Sequence, residues 1–205
     1  FVGISMGANV VISNHIGQKD DEGIRRSVST ISLLAVICGV MLMFLGIAIS
    51  RPILELMDTP ADVLDMAVLY LRIYFIGIPF FLIFNFGAAI LRSMGDTRRP
   101  LYILFAAGII NTMLNLFFVI CLGMGVEGVA ISTGIANALS AFLIIILLRK
   151  EQGPMQLQFH HVRIYKKELK KMLQIGVPAG LQGMVFSLSN VVVQSAINGY
   201  GATAV

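Results

Sequence analysis

Long apolar runs broken by short polar segments dominate the chain. Residues 27–50, 66–91, 100–122 and 127–149 each supply the roughly 20 mostly apolar residues that a membrane-spanning helix needs. Residues 172–198 form a fifth, more polar run, and residues 1–16 read as the tail of an earlier one. Prolines punctuate the pattern. Arg51-Pro52 ends the first run, and Pro79 and Pro178 lie inside the second and fifth. Pro100 opens the third at a favoured first helical position. The pattern predicts an all-α, polytopic transmembrane helix bundle. Phe1 and Val205 both fall inside apolar segments, so both ends are expected to be cuts through a longer chain.

Composition agrees. The chain has 205 residues, 57% hydrophobic and 13% charged, against about 25% charged in soluble domains. A basic excess of +4 could suggest nucleic acid, but the cations sit between the apolar runs, as membrane-flanking charge does. Loops 17–26, 92–99 and 149–171 carry thirteen of the fifteen Lys and Arg residues, whereas Glu55, Asp58, Asp62, Asp65 and Glu127 collect in the alternate loops. This sorting predicts that the three basic loops are cytoplasmic in a multi-pass protein of the cell (plasma) membrane. Segment 165–175 can set Leu169, Met172, Leu173 and Ile175 opposite its lysines, either as an interfacial helix on anionic membrane lipids or as a plain linker. Cys38 and Cys121 read as packing residues. His15 ends an apolar run, and His160 and His161 lie in a polar loop; none has the companions of a metal site. No paired carboxylates, nucleophile–base pair or phosphate loop is present, which argues against an enzyme and against a cofactor.

Polar side chains inside the spans are costly in lipid and are the first candidates for function. Asn111 and Asn115 share one face of the third run, and Thr133 and Asn137 one face of the fourth. The connection at 123–126 is short, so these runs form an antiparallel hairpin in which residues equidistant from the turn share a depth. Asn115 is then level with Thr133, and Asn111 with Asn137. Four oxygen-bearing side chains suit interhelical hydrogen bonding or a hard cation. In the fifth run Gly183, Ser187, Asn190, Gln194 and Asn198 fall on one stripe, adjoined by Gln182, that can line an aqueous cavity or make polar contacts with other helices. Gly128, Ser132, Ala136 and Ser140, spaced by four, allow close helix packing. Asp96 or Thr97 can cap the helix that follows, and Asp96 can pair with Arg92.

Several stretches together resemble the multidrug and toxic compound extrusion (MATE) family of cation-coupled efflux transporters. Tyr70-Leu71-Arg72-Ile73, Gly77-Ile78-Pro79-Phe80 and Ile90 to Pro100, with its Gly-Asp-Thr-Arg loop, are similar to that family's fourth helix and following loop. Asn111 to Asn115 resembles its fifth helix, Gly125 to Thr133 the start of its sixth, and Ile175 to Gln182 its seventh. The resemblance implies part of a twelve-helix, two-lobe transporter. Residues 1–149 would run from the end of helix two through helix six, 150–171 would be the basic interlobe linker, and 172–205 would begin the second lobe.

The resemblance further implies a first-lobe cation site. There an acid of helix one joins Asn111, Asn115 and Thr133, with Asn137 nearby. The acid lies outside this chain, and residues 172–198 lack the glutamate that some members carry in helix seven. The implied activity is export of drugs and other small organic substrates by alternating access, coupled to Na⁺ or H⁺, with Pro79 and Pro178 bending their helices. The alternatives are a lipid-linked saccharide flippase of the same superfamily and a non-transporting helical assembly subunit.

Overall fold

The structure is a computed structural model and describes residues 2–56, 61–157 and 163–199. Among the described residues every regular element is helical. They are α1 (Val2–Gly17), α2 (Asp21–Leu56), α3 (Ala61–Ser93), α4 (Arg98–Leu116), α5 (Val126–Lys150) and α6 (Lys166–Gly199). A π-helical turn, Phe117–Cys121, extends α4. Among the described residues four helices are long and apolar enough to cross a membrane: α2, α3, α4 with its π turn, and α5. The remaining long helix, α6, carries Gln182, Ser187, Ser189 and Asn190 along its second half. The protein is thus a multi-pass helical membrane protein.

Several predicted boundaries move outward. At about 1.5 Å per residue, the 36 residues of α2 exceed what the hydrocarbon layer requires. It runs through Pro52, which was expected to end it; proline inside a helix removes one donor without necessarily breaking the rod. Pro100 is the third residue of α4 rather than its first, still within the turn whose N–H groups have no intrahelical acceptor. Residues 166–171 form no helix of their own: α6 begins at Lys166 and continues into the apolar run. Its buried face also differs from the expected one. Met172 is fully buried and Glu168 nearly so, while Ile175 is exposed.

Helix α3 is the centre of the bundle. It packs against α2 on one side and α5 on another, and also meets α1; α4 packs on α5, and α6 on α1 and α2. Sequence-close small residues make these approaches possible. The α5 stripe Gly128, Ser132, Ala136 and Ser140 is buried. Pro79 sits directly on Gly39 of α2, 2.7 Å from where a Cβ would stand. The buried core lies toward the basic-loop end, where Ile12, Ile24, Val28, Phe86, Leu91, Ile144 and Leu148 meet.

The segment after α5 folds back over that end. Its Leu157 N–H donates to Leu148 O at 3.1 Å, and Met155 and Leu157 are buried. Further on, Ser29 exchanges hydrogen bonds with the Arg163 backbone at 2.7 and 3.0 Å, and Tyr165 N–H donates to Thr30 Oγ1 at 3.1 Å. The Arg26 guanidinium lies over the Tyr165 ring. The described part of the basic connection is therefore held against α2.

Candidate cation site and helix seam

Three of the four expected oxygen-bearing side chains meet directly. Asn111 Nδ2 donates to Thr133 Oγ1 across the α4–α5 hairpin at 3.4 Å. Asn115 Nδ2 donates to Asn111 Oδ1 one turn along at 3.1 Å. Thr133 Oγ1 also donates to Val129 O at 3.0 Å, which fixes its rotamer. Asn115 Oδ1 is covered but has no hydrogen-bond partner among the described residues. A covered, unpaired carbonyl costs on the order of 1–3 kcal/mol. Asn111, Thr133, Asn137 and Ser140 border an open cavity of about 240 Å³ with Leu104, Ala107, Gly108 and Ala136.

The depth assignment needs correction. Asn111, not Asn115, bonds to Thr133, and Asn137 instead lies beside Gly77 of α3. The π turn accounts for about one residue of this four-residue offset. Winding Phe117–Cys121 with i→i+5 bonds fits an extra residue into the same height. Every α4 residue then lies closer to the turn than a uniform helix would put it, so its partner on α5 has a lower number. Met124 N–H also folds back onto Phe118 O at 3.0 Å.

The donor set is chemically consistent with a hard monovalent cation: neutral oxygens of Asn111, Asn115 and Thr133 are brought together over about one helical turn, and Asn137 borders the same cavity. These groups carry no negative charge and take up no proton near neutral pH. A carboxylate from beyond this chain would have to supply both.

The stripe on α6 lies elsewhere. Gln182, Ser187 and Asn190 are exposed, on the part of α6 beyond its crossing with α1. The side chain of Gln194 lies outside the described ones, as do His160 and His161. Pro79 is in the α2–α3 contact and Pro178 lies on the exposed side of α6.

Two polar groupings fall at the basic-loop end. Asp96 caps α4, accepting the N–H groups of Arg98 and Arg99 at 3.1 Å each. Thr97 makes no side-chain cap. The ion-pair partner of Asp96 is Arg99, not Arg92; Arg99 also binds Glu151 and so ties the α3–α4 loop to the end of α5.

The second grouping was not foreseen from sequence. His15, 6% exposed, and Glu168, 3% exposed, meet across 153 residues with Nε2 and Oε2 3.0 Å apart. The other ring nitrogen, Nδ1, lies 2.9 Å from Asp20 Oδ2. Asp20 Oδ1 accepts the Gly23 N–H at 2.9 Å, and Lys171 Nζ lies 3.4 Å from Glu168 Oε2. The Gly23 N–H holds the Asp20 carboxyl below its ordinary range against partial desolvation, helped by His15 and Arg26. The sequence offered one signal: Glu168 is the lone acid in a lysine-rich turn.

Long apolar helices around a buried apolar core, with an asparagine–threonine cluster in the spans, define one class: a multi-pass helical membrane protein. Comparison with known proteins gives the family. The MatE family model matches residues 1–117, and the chain belongs to that family. It is 31% identical to the probable multidrug resistance protein YoeA of Bacillus subtilis (strain 168), over 99% of this chain and 45% of that protein. It is 30% identical to the probable multidrug resistance protein YpnP of the same strain, over 98% of this chain and 44% of the relative. The chain therefore spans about half the length of the curated relatives it matches.

A solved MATE structure in a bent conformation superposes with a TM-score of 0.89 at 24% identity, over 99% of this chain and 46% of that one. An outward-facing multidrug resistance MATE transporter gives 0.87 at 23% identity, over 98% and 45%. An inward-facing one gives 0.82 at 24% identity, over 88% and 41%.

Proposed function

We propose that the complete protein is a multidrug efflux antiporter that exports small organic compounds by alternating access, coupled to Na⁺ or H⁺ at a site that includes Asn111, Asn115 and Thr133. The observation that carries the site is the covered, unpartnered Asn115 Oδ1 beside the Asn111–Thr133 contact. A bound cation would satisfy this acceptor, which has no partner among the described residues. The names of YoeA and YpnP, and the inward- and outward-facing forms of a solved MATE transporter, support the transport reading. In this reading residues 1–149 belong to the first lobe, 150–171 connect the lobes, and 172–205 begin the second. The basic loops face the cytoplasm, where their lysines and arginines meet anionic lipid.

Coupling requires that ion and substrate bind the inward- and outward-open forms unequally. Because the amides and hydroxyl are neutral, their part is to hold Na⁺ directly, or to orient the missing carboxylate if the ion is H⁺. The test is ethidium efflux from cells expressing the full-length protein. Asn111→Ala combined with Thr133→Ala should remove ion-dependent efflux, by about tenfold or more if roughly 1.4 kcal/mol of ion binding is lost, at unchanged membrane expression. Undiminished efflux would sink the site assignment.

A further inference from the structure

The helices α1 and α6 run antiparallel in a regular register that ends on the histidine cluster. A Cβ on Gly3 would overlap backbone atoms of Gly176 and Gly180, and one on Gly7 would strike Met172 O and lie 2.8 Å from Gly176 N. Two further turns along both helices bring His15 against Glu168. The seam is thus backbone against backbone at one end and a buried charged cluster at the basic-loop end.

Hydrogen-bond stoichiometry constrains that cluster. Both imidazole nitrogens face carboxylate oxygens, at 2.9 Å and 3.0 Å. A neutral imidazole has one N–H donor and one lone pair, so it can satisfy only one of them; an imidazolium satisfies both. The alternative is a protonated carboxyl, and the surroundings oppose it. The Gly23 N–H and the charge of Arg26 favour ionised Asp20, and the Lys171 ammonium lies beside Glu168. The other neighbours do not supply a competing charge. Arg26 of α2 is already paired with Glu22. At this end α3 presents Ser93, whose carbonyl accepts Ser13 Oγ at 3.3 Å, while Arg92 points to an exposed position.

We propose that His15 is a proton-binding site whose protonation clasps α6 to α1 at the basic-loop end. The imidazolium donates from Nδ1 to Asp20 and from Nε2 to Glu168, and the ring, two carboxylates and Lys171 ammonium sum to zero net charge. Loss of one proton to water, on the side where the Asp20 side chain is 44% exposed, leaves one N–H and one lone pair. In the tautomer that keeps the local Asp20 bond, the lone pair turns to Glu168 and the bond across the seam is lost. Release of this clasp frees the leading helix of the second lobe from the first. Its place in a transport cycle rests on the alternating-access reading; its proton dependence does not.

The test uses the full-length transporter in liposomes, cysteine-free except for spin labels at Gln18→Cys and Lys167→Cys, with the interlabel distance followed across a pH series. The short-distance fraction should rise as pH falls, its ratio to the long one changing by up to about tenfold per pH unit for one proton. His15→Gln should abolish the slope. Glu168→Gln should hold the short distance at every pH, because its amide can donate to a neutral Nε2. A plain structural ion pair predicts the reverse for Glu168→Gln, a weaker seam at every pH. A flat wild-type profile, a slope retained in His15→Gln, or a Glu168→Gln seam that loosens throughout would overturn the proposal. Ethidium efflux in the same liposomes, read separately, reports on the transport reading alone.

Discussion

At the scale of single residues, the basic-loop end depends on a few side chains that each do two jobs. Asp96 caps α4 and binds Arg99. Its burial pushes the carboxyl up, but the Arg99 N–H, the Arg99 guanidinium and the Arg98 N–H outweigh that and leave it below the ordinary range. A group depressed in this way contributes stability above its unfolded pKa of about 3.9 and loses it as pH falls through the lower folded value. Asp96→Ala should therefore lower stability by about 1 kcal/mol near neutral pH, the usual worth of a cap. Thermal unfolding in detergent would show the gap between variant and parent closing toward acid pH. A gap that persists well below the ordinary carboxylate range would mean that Asp96 acts through packing instead.

Helix lengths and contacts place the other constraints at the scale of elements. The α1–α6 seam tolerates no side chain at Gly7, because the obstacles are the backbone of Met172 and Gly176 rather than movable side chains. Gly7→Leu should push the helices apart and cost on the order of 1–3 kcal/mol, as overpacking does. Gly17→Ala, with nothing within 4 Å of its Cβ position, should be silent by the same melting measurement; equal losses in both would refute the seam geometry. In the α4–α5 hairpin, the asparagine and threonine positions were legible from spacing, since polar residues four apart share a face. Their relative depth was not. It depends on the register of the hairpin, to which the π turn at Phe117–Cys121 contributes, and five apolar residues, Phe-Phe-Val-Ile-Cys, do not announce i→i+5 winding.

Across the whole molecule, the described helices pack tightly toward the basic-loop end and expose much of their remaining surface. Phe44, Phe105, Phe117, Ile120 and Phe186 are all more than 45% exposed, which suits lipid or the part of the protein beyond this chain. On α6, Gln182, Ser187 and Asn190 lie on such a surface. If that face borders the substrate path of the intact transporter, a cysteine at Asn190 should react with a membrane-impermeant thiol reagent, and bound substrate should slow the reaction. Complete protection without substrate would favour a dry contact with other helices.

The sequence by itself determined the class of this protein. Runs of apolar residues long enough for the hydrocarbon layer, and basic residues confined to alternate loops, leave few physical options beyond a helical bundle in a membrane, because only closed backbone hydrogen bonding survives there. It also showed that Asn111 and Asn115 share one face of an apolar run, and Thr133 and Asn137 one face of the next. Tertiary structure alone decided which polar side chains meet. The bond from Asn111 to Thr133 depends on the register between α4 and α5, and that from His15 to Glu168 on the approach of two glycine-faced helices, the two residues being 153 apart in sequence. Spacing along one helix records a shared face; it carries no information about the register between two helices, which is set by how closely their backbones can pack.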